Sequence, residues 1–163
     1  MRAPRLLAAG TAAASLMLSG CGLEKPSPIV TVVSGGESTH SEATSWCFEG
    51  QDPEQEPGSE EGCSFEESRP ELIRVQPGEQ VGVDVEKTLS DRSWVVVLRP
   101  QGGGTDQQGQ PQEQASPIQD EHYFGFVPQF EGGAPLELQV RSLASDRPDS
   151  AVTGVWRFVL APE

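Results

Sequence analysis

Basic side chains are scarce: 11 Lys and Arg stand against 25 Asp and Glu, a formal net charge of −14. Phosphate binding rests on Lys and Arg, so this balance argues against a nucleic-acid partner. Imidazole is scarcer still, with only His40 and His122 in 163 residues. Neither sits in a nucleophile motif, and no G-x-S-x-G elbow occurs. His40 lies in a polar turn and His122 opens a strand beside Tyr123, so both read as rim residues and no catalytic residue is assigned. No apolar run approaches the roughly 20 residues that an uncapped membrane span needs. Beyond residue 20 no segment sustains a period of 3.6, which leaves little room for helices.

The amino terminus has a different character. Arg2 and Arg5 precede an apolar run from Leu6 to Leu18, interrupted by Gly10 and Thr11, and small residues then lead to a cysteine. This is the three-part pattern of a secretion signal, here residues 1–20. Leu18-Ser19-Gly20-Cys21 resembles the lipobox of bacterial lipoproteins. The resemblance implies that Cys21 receives a diacylglyceryl group and becomes the new amino terminus. Two acyl chains anchor stably where one is marginal, at about 0.8 kcal/mol per buried methylene. Residues 21–28, with Pro26 and Pro28, read as anchor and tether. Losing Arg2 and Arg5 takes the 11 basic residues to nine against 25 acids, a net charge of −16. Such a body is repelled by anionic headgroups, so the membrane is a partner through the anchor alone.

With Cys21 acylated, Cys47 and Cys63 have only each other. An oxidising compartment makes them a disulfide, worth about 3 kcal/mol for a loop of roughly this length. Both methionines, Met1 and Met17, leave with the signal, so the soft ligands of a copper site are missing. Between the cysteines, residues 49–62 hold six acids and no Lys or Arg, and read as an irregular acidic loop. Asp52, Glu54 and Glu56 alternate as the first ligands of a calcium loop do. The glycine, however, comes late at Gly58, and Cys63 stands where the bidentate glutamate belongs. Cation binding by this loop is therefore a minor alternative, and no metal or cofactor is assigned.

Residues 29–163 read as one domain of strands. Ile29-Val30-Thr31-Val32-Val33 is β-branched and stops at Ser34-Gly35-Gly36, and a weaker strand is expected from about Ser41 through Trp46, Cys47 and Phe48. Glu71–Gln76 and Glu79–Glu86 flank Pro77-Gly78, a type II turn signal, and read as a hairpin. Val81, Val83 and Val85 alternate with polar residues and face a core. Ser93–Leu98 is apolar on both faces, as a central strand would be. Residues 100–117, with six Gln, four Gly and three Pro, read as a low-complexity loop with little reason to order. Three further strands follow, with Phe124 and Phe126, then Leu138, then Trp156 and Phe158 on their inner faces. Turns at short spacing and about seven to nine strands predict an all-β antiparallel sandwich of immunoglobulin-like type, with Trp94 in its core.

The lipobox at Cys21, the pair Cys47 and Cys63, VQPGEQVGVDV, SWVVVL and GVWRFVL together resemble a family of small actinobacterial lipoproteins of unknown function. That resemblance implies location on the extracytoplasmic face of the membrane and no mechanism. The functional expectation is a tethered, non-catalytic binding or scaffolding module for an unidentified envelope protein or ligand. An alternative comes from the order of hairpin, loop and Trp94, which resembles chagasin-type cysteine-protease inhibitors. In those the loop before the tryptophan reads Asn-Pro-Thr-Thr-Gly, whereas LSDRS stands here, and Gly102-Gly103-Gly104-Thr105 only partly matches their glycine loop.

Overall fold

The β-branched run forms β1 (Val30–Ser34), turns through Gly35-Gly36, and returns as β2 (Glu37–Ser41). These strands begin a computed structural model that describes residues 26–56, 58–59, 61–101 and 112–163. The signal, Cys21 and the glycine loop at 102–105 lie outside the described residues. The chain continues through β3 (Ser45–Trp46), β4 (Ser64–Phe65), β5 (Glu71–Val75), β6 (Val81–Val85) and one helical turn, α1 (Lys87–Ser90). Next come β7 (Trp94–Pro100), β8 (Gln114–Ala115), β9 (Tyr123–Phe126), a 3-10 turn at Glu131–Gly133, β10 (Leu136–Leu143) and β11 (Val152–Pro162).

Two sheets result. The smaller has the order β2-β1-β6-β9, and the larger β4-β3-β11-β10-β7-β8. In the larger, β5 also joins β11, pairing parallel along Phe158–Pro162, while β3 pairs antiparallel with Gly154 and Val155. One long strand thus offers the same edge to two partners. The run β8-β7-β10-β11 has the C′-C-F-G order of an immunoglobulin sheet, and β6 beside β9 corresponds to B beside E. The fold is the expected all-β immunoglobulin-like sandwich. Its eleven strands exceed the expected number because β3, β4 and β8 are only two residues long.

The core forms where the inward positions of both sheets meet. Val81, Val83, Val85, Trp94, Leu138, Trp156 and Phe158 are buried, joined by Trp46, which periodicity alone did not single out. Phe124 and Phe126 pack against this cluster half-buried, because β9 is a sheet edge. Each buried large side chain contributes about 1.5–3 kcal/mol. The Trp94 Nε1–H donates to Glu121 O and the Trp156 Nε1–H to Pro28 O, both at 2.8 Å, so neither buried indole is left without an acceptor. Gly154 lies against two rings: a Cβ there would stand 2.6 Å from Trp46 and 2.9 Å from Trp156.

Three local expectations are corrected. Pro77-Gly78 does turn the chain, with φ +82° at Gly78 and the Glu79 N–H donating to Gln76 O at 3.0 Å. The flanking strands do not form a hairpin, however, for β5 joins β11 in the large sheet and β6 joins β1 and β9 in the small one. A type II turn splays its arms, whereas hairpins favour the mirror-image turns whose twist matches the strands. The second strand expected from about Ser41 through Phe48 shrinks to β3 at Ser45–Trp46, and β2, in the other sheet, was not expected because an exposed polar edge leaves no apolar pattern. Within 100–117, Pro100 belongs to β7 and residues 112–117 are ordered. The Ser116 N–H donates to Val96 O at 2.8 Å, and the Val96 N–H donates to Ser116 Oγ at 3.0 Å.

A chain of charged contacts covers the outer face of the large sheet. Arg157 Nε donates to Glu137 at 2.9 Å, Gln139 donates to the same carboxylate at 2.7 Å, and Arg141 donates twice to Gln139 Oε1 at 2.8 and 2.9 Å. Arg141 also reaches Glu113, which Arg99 holds from the other side. Burial pushes the Glu137 carboxyl up, but the bonds from Gln139 and Arg157 and the charges of Arg157 and Arg99 outweigh it and hold it below its ordinary value.

Candidate functional site

The candidate site is the end of the sandwich where residues 26–28 enter. Pro26–Pro28 is pinned there: Ser27 Oγ accepts the Ala43 N–H at 3.1 Å, and Pro28 O accepts the Trp156 indole. Cys47 and Cys63 form the expected disulfide. The reason is visible in the register, since Ser45 opposes Phe65 and Trp46 opposes Ser64, so the cysteines occupy the next facing positions of the same hairpin.

The acidic loop is the connection of that hairpin, and backbone hydrogen bonds cross it. The Asp52 N–H donates to Glu61 O at 2.8 Å, and the Gly58 N–H to Cys63 O at 2.7 Å. Asp52 Oδ1 accepts the Glu54 N–H at 2.9 Å, which turns that carboxylate toward its own backbone. Among the described residues, no group of three or more His, Cys, Asp or Glu side chains could hold a metal ion.

Two further segments meet the disulfide loop. The Cys47 N–H donates to Thr153 O at the start of β11, and the Leu143 N–H at the end of β10 donates to Ser93 O, both at 2.8 Å. The β6–β7 turn, the β10–β11 turn and the disulfide loop therefore enclose one cleft of about 510 Å³, lined by Phe48, Gln51, Arg92, Ser93, Ser145 and Thr153 among others. The guanidinium of Arg92 lies 4.6 Å from the centre of the Trp46 ring, which itself meets Trp156 at 5.5 Å. A half-buried arginine held on an indole has lost much of its freedom before any ligand arrives. Among the described residues Arg92 has no carboxylate partner. Asp91, beside it, is paired with Lys87 at 2.7 Å. Thr153 donates to Ser142 Oγ at 3.0 Å beneath the cleft.

This arrangement can hold a ligand by an aromatic ring, hydroxyls, an amide and one cation. It offers no imidazole base, because His40 lies exposed on β2 and His122 exposed at the start of β9. The segment LSDRS lies at the start of β7, whereas residues 102–105 are not among the described residues. No helix among the described residues is long and apolar enough to cross a membrane.

The sandwich brings together residues that the sequence scatters. Trp46 and Arg92 come from different segments, and nothing in the spacing of either pointed to the pair. Compared with protein-family models, curated proteins and solved structures, the chain matches none.

Proposed function

We propose that this chain is a lipid-anchored, extracytoplasmic binding module without catalytic activity. Cys21 carries the anchor, and residues 21–25 span at most about 17 Å before the first residues of the domain. The observation that carries the reading is the cleft at the tethered end, walled by three segments far apart in sequence and bonded to one another. Loops gathered at one end of a sandwich are where such folds bind. The partner is an envelope protein or ligand and not a nucleic acid. Inhibition of papain-like proteases is the weaker reading, since LSDRS stands where such inhibitors carry Asn-Pro-Thr-Thr-Gly.

Cell fractionation with labelled fatty acid tests the anchor: wild type should sediment with membranes and carry label, and Cys21→Ala should do neither. A Cys21→Ala protein that stays membrane-bound and labelled would end the reading. Proximity crosslinking on intact cells, against that variant, then tests binding. A crosslinked envelope partner lost when Arg92→Ala and Phe48→Ala are combined supports the cleft, and a partner retained in full moves binding elsewhere.

A further inference from the structure

Among the described residues, nothing pairs with the outer edge of β9. Phe124 and Phe126 stand opposite Val83 and Val81, and the Val85 N–H donates to His122 O at 2.8 Å. Antiparallel pairs alternate between residues that bond across and residues that turn away. His122, Phe124 and Phe126 bond toward β6, so the N–H and C=O of Tyr123 and Gly125 point out of the sheet.

Edge strands are normally blunted by charge, proline or brevity. At the margins of the large sheet, β4 and β8 have two residues each and β5 carries the charges of Glu71 and Arg74, while β2, the other margin of the small sheet, is wholly polar. By contrast β9 reads Tyr-Phe-Gly-Phe with no charge of its own. Tyr123 is 43% exposed and Val127, just past the strand, 46%. The rings of Phe124 and Phe126 stack at 6.0 Å, half-buried beneath that edge.

Charge chooses the occupant. The segments that build and flank the small sheet, residues 29–41, 79–86 and 118–133, contain no Lys or Arg. Around β9 they carry exposed Asp84, Asp120, Glu121 and Glu131, and Asp84 is the register partner of Tyr123. A second copy would set these carboxylates against themselves. We propose that the outer edge of β9 takes an extended, Lys- or Arg-bearing peptide strand of a partner protein, added to the four-stranded sheet. Main-chain bonds at Tyr123 and Gly125 give affinity, the aromatic edge gives apolar contact, and the carboxylates select for basic side chains. This names a partner class for the binding module proposed above and rests on that reading.

The test titrates the full lipidated chain, in non-ionic detergent, with a blocked octapeptide of alternating Lys and Val, against one of alternating Glu and Val. Hydrogen exchange locates the contact. The Lys peptide should bind, weaken roughly tenfold or more at high salt, and protect the Tyr123 and Gly125 amides. Gly125→Pro removes one outward N–H without touching the bonds to β6, and should lower affinity at least about tenfold. A Cβ at that position presses on the Gln80 side-chain amide, which can move, and otherwise meets the Tyr123 ring at an ordinary contact distance of 3.5 Å. Should that variant misfold by circular dichroism, Asp84→Lys with Asp120→Lys decides, and the same loss is expected. Equal binding of the Glu peptide, protection away from β9, or unchanged affinity in the variants overturns the proposal. So does concentration-dependent protection of β9 without peptide, which would make a second copy the occupant. Because the titration uses purified protein, its failure leaves the membrane attachment of Cys21 to be judged by fractionation, and loss of anchoring leaves the peptide result intact.

Discussion

The two sheets of this sandwich have divided the chain's charge between them. Arg99, Arg141 and Arg157 lie on the outer face of the large sheet, where Glu113, Glu137 and Gln139 bind them into one chain of contacts. The strands of the small sheet contain no Lys or Arg and end on an aromatic strand whose outer edge pairs with nothing among the described residues. A face whose charges are largely paired, with only Arg99 Nε left without a hydrogen bond, has little to offer a partner, and an edge whose backbone is unpaired among the described residues and whose acids are unbalanced has much. The difference teaches where to look for binding: at the end of the sandwich where residues 26–28 enter and along β9, not across the broad face.

The sharpest way to break the comparison is to remove a large core side chain from each sheet. Trp156→Ala empties a site that is fully buried, strips Trp46 of its neighbour, and should cost about 3–5 kcal/mol in urea unfolding. Phe124→Ala on half-buried β9 should cost about 1 kcal/mol. Equal losses would mean that β9 is as firmly built in as β11. Next in size is the disulfide. Replacing Cys47 and Cys63 together by Ala should cost about 3 kcal/mol, and hydrogen exchange should show the loss concentrated at β3 and β4 while the small sheet keeps its protection. Gly154→Ala presses a methyl against two tryptophan rings and should cost about 1–3 kcal/mol.

The smallest effect sharpens the comparison most. The folded Glu137 carboxyl is held below its ordinary value, so its contribution to stability is present above the unfolded carboxylate range and is lost as pH falls through the lowered folded value. Glu137→Gln should cost about 1 kcal/mol or less at neutral pH and flatten the acid arm of a stability-against-pH profile. A variant with the wild-type acid arm would show that the contact chain adds nothing to the large sheet.

Much of the sandwich was legible because alternation reports burial directly. Val81, Val83, Val85, Leu138, Trp156 and Phe158 are placed inward as their spacing predicts, and the facing positions of Cys47 and Cys63 match the expected bond. Less legible was everything that depends on which strands meet. Glu71–Val75 and Val81–Val85 look like hairpin arms, yet the last residues of β11 and the whole of β1 compete for them and win. Glu113 sits in a glutamine-rich stretch that promises no order, and two arginines from β7 and β10 give it one place. The Trp46 and Arg92 contact left no trace in either segment.

By itself the sequence determined an acidic body, a cysteine pair and short alternating strands. Each of these is a local property, set by composition and by a period of two. Tertiary structure alone decided that β5 and β6 part company, that β11 serves two partners on one edge, that three distant segments wall a cleft, and that nothing among the described residues pairs with the outer edge of β9. Those outcomes depend on competition among strands for hydrogen-bonding partners across the whole chain, and no window of sequence contains both competitors.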